Sequence, residues 1–77
     1  MDVLLHLQTP RGEMILEEAV VTHLPRVGDV LKLSFPEDKE ISVYTVSEVS
    51  HGFSIFISGV FKQTQIEITC TYKGRSR

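Results

Sequence analysis

Apolar and polar residues alternate with a period of two along most of the chain. In residues 2–8, Val3, Leu5 and Leu7 share one side while Leu4, His6 and Gln8 share the other, which is the pattern of a strand. Pro10 and Gly12 then supply turn chemistry. The run over residues 13–23 reads two ways. Met14, Ile15, Ala19 and Val20 also fall at helical spacing, among good helix formers. The lack of an N-capping residue and the tight glycine turn feeding directly into the run favour a strand, hairpinned onto the first.

Pro25 cannot donate a ladder hydrogen bond, so the second strand ends there. Gly28 supplies a backbone geometry that a Cβ would oppose, and Asp29 can bond a nearby backbone N–H. Alternation resumes with Leu31, Leu33 and Phe35, so Pro25, Gly28 and Asp29 mark a corner where the chain enters a new strand. Residues 36–40 read as a polar hairpin loop. The next strand carries Tyr44, Val46 and Val49; the step from Val46 to Val49 breaks the period and predicts a β-bulge at Ser47 and Glu48. His51 and Gly52 read as a turn, with the histidine bonding the turn backbone. Phe53, Ile55 and Ile57 then form the core face of a strand ending near Gly59, and Ile66, Ile68, Cys70 and Tyr72 alternate in the last one.

The sequence thus predicts an all-β fold: a small single-domain barrel or sandwich of five to six short antiparallel strands over residues 1–72, followed by a flexible basic tail over residues 73–77. Pro25, Val27, Gly28, Asp29 and Leu31, followed by Tyr44, Val46, Val49 and His51, resemble a pattern of Src-homology-3-like barrel modules and of small bacterial and phage proteins. The resemblance covers about a third of the chain. It implies that the Gly-Asp turn opens one strand and that the aromatic-Val strand pairs beside it. It implies a fold, not a chemistry.

A chain of 77 residues buries only about 60–65% of its unfolded surface, which favours a binding surface over a deep enzyme cleft. The formal net charge of -2 runs against a general nucleic-acid binder, which shows a basic excess. One cysteine, Cys70, allows no intrachain disulfide and points to a reducing, cytoplasmic setting. No apolar run reaches the length of a membrane span, and the N-terminus lacks the basic start and cleavage site of a signal peptide.

Candidate chemistry is sparse. His6, His23 and His51 lack metal-ligand spacing, and no Gly-rich phosphate loop, CxxC pair or HExxH occurs. Cys70 lies on an apolar face and reads as core. No catalytic residue, cofactor, metal or small-molecule substrate is expected. Phe56 is the misfit: a large aromatic between Ser54 and Ser58 on the side that should be wet. With Leu4, Ile15 and Val21 it forms a candidate interface. The expected function is a non-enzymatic protein–protein interaction module, a small adaptor or inhibitor, binding a protein partner or a second copy. The alternative is a nucleic-acid-binding barrel with Arg11, Arg26, Lys32, Lys62 and the tail on one side and surface aromatics as stacking platforms.

Overall fold

The computed structural model describes residues 1–76. Five strands follow in order: β1 (Asp2–Gln8), β2 (Met14–Val20), β3 (Val30–Leu33), β4 (Ile41–Ile55) and β5 (Phe61–Ser76). They form one curled sheet, a half-barrel, in the order β2-β1-β5-β4-β3. There is no helix among the described residues, and the run over residues 13–23 that also had helical spacing contains the strand β2.

The sheet is mixed, not wholly antiparallel as expected: β1 pairs β5 in parallel, with Leu4 opposite Glu67 and Leu7 opposite Cys70. Direction explains the exception. Five strands that alternate up and down in chain order leave the first and last pointing the same way. Joining the β1–β2 hairpin to the β3–β4–β5 meander through β1 and β5 therefore gives a parallel rung.

Nor are the strands uniformly short. β4 has 15 residues and β5 has 16. The expected turn at His51 and Gly52 is absent; β4 runs straight through both. The reversal lies at residues 57–59. There the Gly59 N–H donates to the Phe56 carbonyl (2.8 Å) and the Phe56 N–H to the Val60 carbonyl (3.0 Å). Gly59 takes a φ of 85°, as the last residue of a three-residue hairpin loop does. The expected strand over residues 53–59 is thus divided between the end of β4 and its turn. The expected tail is also corrected. Lys73 to Ser76 belong to β5, and Gly74, Arg75 and Ser76 pair with Val43, Ser42 and Ile41. Their composition reads as a frayed end, but the start of β4 satisfies their backbone groups. Arg77 lies outside the described residues.

The core lies on the concave side: Val3, Leu5 and Leu7 from β1, Ile66, Ile68 and Cys70 from β5, and Tyr44 and Val46 from β4. Each set alternates along its strand, as the sequence pattern requires. The bulge predicted at Ser47 and Glu48 is present as a register shift between Val46 and Glu48. Because β2 and β3 are the two sheet edges, the chain between them must travel from one edge to the other. It does so with Val21 and Leu24 against the core. It is then pinned to β4: the Gly28 N–H donates to the Val46 carbonyl and the Val46 N–H to the Asp29 carbonyl, each at 2.9 Å.

Candidate interaction surface

The core ends well before β4 and β5 do. β1 reaches β5 only at residues 67–70, and β3 reaches β4 only at residues 42–45. Beyond them the two long strands have only each other, and no residue from 47 to 65 is buried. The result is a projecting arm that helps give the molecule extents of 50 × 23 × 21 Å.

Register assigns the arm's faces, since opposed residues in an antiparallel pair point the same way. Phe53 stands opposite Gln63 and Ile55 opposite Phe61; Ser54 stands opposite Lys62. Val49 packs against the core, and alternation along β4 then puts His51, Phe53 and Ile55 on that same side. The arm therefore carries the core-facing pattern outward, past the end of the core. Sequence reading expects Phe53, Ile55 and Ile57 inside; they are 58, 59 and 109% exposed. Periodicity reports which side a residue faces, not whether anything lies opposite it.

Phe56 is exposed, as its place between two serines suggests. The Lys62 ammonium sits 5.8 Å from its ring centroid, a cation–π contact worth about 0.5–1 kcal/mol at an exposed site. Leu4, Ile15 and Val21 do not join it. Val21 is half-buried against the core, and its N–H donates to the Met1 carbonyl (2.8 Å). Leu4 is half-buried on the outer face, opposite Glu18 and Glu67. Ile15 is opposite Leu7, on the rung of Cys70, roughly 30 Å along β5 from the arm's turn at strand rise. The other exposed apolar residues of the arm are Phe53, Ile55 and Phe61 on the side that continues the core, Ile57 in the turn, and Val60 on the side of Phe56. The strand end expected near Gly59 coincides with the arm's reversal; no local sequence signal marks where the core stops short of it.

The root of the arm is specified by close approach. Opposite Gly52, β5 carries an extra residue, seen as a register shift between His51 and Phe53. A Cβ on Gly52 would lie 2.9 Å from Thr64 Oγ1 and 3.2 Å from the Gln65 carbonyl oxygen. His51 does not bond a turn backbone; its Nδ1 accepts from Gln63 Nε2 at 3.0 Å, across the bulge.

The corner at Pro25, Gly28 and Asp29 is a backbone device. Gly28 has φ 95°, and the Asp29 carboxylate accepts from the Arg26 N–H at 2.8 Å. β3 begins at the next residue, Val30, and its Leu31 pairs with Tyr44.

A shallow cleft on the concave side is bordered by Ile15, Phe35, Tyr44 and Tyr72 with Glu17, Asp38 and Arg75. Tyr44 and Tyr72 meet edge to face, centroids 5.5 Å apart. Burial, with Tyr72 and Cys70 nearby, pushes the Tyr44 phenol up. A hydrogen bond to Tyr72 and the charges of Asp38 and Glu40 raise the already high pKa of Arg75, whose Nη1 lies 3.7 Å from Glu40. The cation is already engaged by the protein's own groups. Two of the other basic residues lie far apart. Arg11 sits in the β1–β2 turn and Lys62 on the arm, at opposite ends of the sheet. Among the described residues no three His, Cys, Asp or Glu side chains are placed to hold a metal ion, and no helix is long and apolar enough to cross a membrane.

No family model, curated protein or solved structure matches the chain.

Proposed function

We propose that this chain is a non-enzymatic protein–protein interaction module of Src-homology-3-like type, working in a reducing compartment. The observation that carries the reading is the arm, whose apolar residues continue the core pattern with nothing packed on them. Contiguous exposed apolar patches of this kind mark interaction sites, and aromatic residues dominate such contacts. The Src-homology-3-like likeness is supported by the Gly28–Asp29 corner, which opens β3 beside the strand bearing Tyr44 and Val46. The wide separation of Arg11 and Lys62, and the ring of Phe56 held under Lys62, weigh against the nucleic-acid alternative.

The reading is tested by placing a photo-crosslinking amino acid at Ile57 in living cells, with Glu18 on β2 as the comparison site. The expected result is a discrete protein adduct from position 57 and none from position 18. Irradiation that yields no adduct from position 57 overturns the proposal.

A further inference from the structure

We propose that the occupant of the arm is a second copy of this chain, the two arms packing their Phe53, Ile55 and Phe61 faces together about a two-fold axis. The inference rests on the interaction-module reading and names its partner.

Three observations select this occupant. The first is the backbone. The arm is a two-stranded ribbon, so its outer N–H and C=O groups along both edges lack strand partners. Those groups need water, and a bilayer interior or an enclosing slot would remove it. A contact that covers a face and leaves the edges wet keeps those groups satisfied. Layering one sheet face on another, about 10 Å apart, does that.

The second is chemical self-compatibility. The face that continues the core presents Phe53, Ile55 and Phe61, with the hydrogen-bonded His51–Gln63 pair at its root and no Asp, Glu, Lys or Arg. The arm's only charged side chain from Phe53 to Gln65, Lys62, is on the reverse face beside Ser54. Two copies can meet face to face without opposing like charges, as an isologous contact requires.

The third is area. Phe53, Ile55, Ile57 and Phe61 are 58, 59, 109 and 65% exposed. At roughly 200 Å² for a large side chain, Phe53, Ile55 and Phe61 offer about 360 Å² per copy, and Ile57 at the arm's tip raises this to about 600 Å². With both tips in the contact, two copies would bury about 1,200 Å², the lower bound of stable, specific interfaces. A hairpin alone is marginal in water, whereas one with its apolar face covered is not. The second copy supplies the layer that the core lacks beyond Ile66.

Sedimentation velocity across the micromolar range is the test. The wild type is expected to dimerise. Ile55→Ser combined with Phe61→Ser should weaken the dimer at least about 100-fold, since each exchange removes a large apolar contact, with an unchanged circular dichroism spectrum. Val60→Ser, on the reverse face, should change it by less than about 10-fold, below the cost of one buried side chain. A monomeric wild type overturns the proposal, as does a dimer that survives the double exchange or dissociates equally with Val60→Ser. Should the double variant unfold, Ile57→Ser decides: it sits in the turn, outside any monomer contact, and unchanged dimerisation of that folded variant overturns the proposal. The crosslink at Ile57 separates this inference from the one beneath it. An adduct of twice the chain mass supports the dimer. An adduct with a different protein overturns the dimer and leaves the module. No adduct, or a monomer that floats with phosphatidylcholine vesicles, overturns both.

Discussion

Gly28 and Cys70 show how single positions constrain this fold. Gly28 has a φ of 95°, and the space around its would-be Cβ is open. Any cost of substitution there is backbone strain, not collision. Gly28→Val is therefore expected to cost more than about 1 kcal/mol, read as a lower urea midpoint with an unchanged slope. An unaltered midpoint would contradict the corner's dependence on glycine. Cys70 is fully enclosed in the core, and burial raises its thiol above an ordinary value near 9.0; the Tyr44 phenol is raised above 10.0, chiefly by burial. Both groups are neutral when protonated, so between the unfolded and folded values the native state holds protons that the unfolded chain has released. Stability should be insensitive to these groups below pH 9.0 and fall as pH rises through the thiol and then the phenol range. Cys70→Ala should shift the onset of that fall toward the phenol range, and a thiol reagent should label Cys70 slowly until denaturant is added. Rapid labelling of the folded protein would place the thiol at the surface.

At the level of elements, the most specific feature is the close approach of β5 to β4 at Gly52. Thr64 and Gln65 together oppose that one glycine, and Thr64 Oγ1 would lie 2.9 Å from an added Cβ. Gly52→Ala should lower the melting temperature, and Thr64→Ala in the same chain should restore part of the loss. Additive effects in that double-mutant cycle would mean that the close approach does not set the bulge. Glycine in a strand pattern reads as a signal of reversal, yet Gly52 is needed for close approach and Gly59 for positive φ. The two requirements look identical in a sequence. The core strands, the bulge after Val46 and the assignment of β2 were legible because alternation and turn chemistry are local. The parallel β1–β5 rung was not, because it follows from which hairpins join, a long-range choice. Phe56 stood out because its neighbours are serines. Phe53 and Ile55 did not, because an uncovered core face and a covered one share the same pattern.

At the scale of the whole molecule, core and arm are energetically separable. Every buried residue lies outside residues 47–65, and the hydrophobic cluster and the residues packed on it take only Val49 from that stretch. The arm beyond the Phe53–Gln63 rung should thus contribute little to the stability of the isolated chain. Replacing residues 54–62 with Asn-Gly joins Phe53 to Gln63 through a two-residue turn suited to an antiparallel hairpin. The shortened protein is expected to keep its cooperative melt, with a midpoint within a few degrees of the full chain measured as a monomer, since a few degrees corresponds to about 1 kcal/mol or less in a chain of this size. Slowly exchanging amides should persist at residues 3–7 and 66–70, where the core strands pair. Loss of the cooperative transition would mean that arm and core fold as one unit. Retention would establish that Phe53, Ile55 and Phe61 are not needed for folding, the outcome that the proposed role of the arm as a contact surface requires.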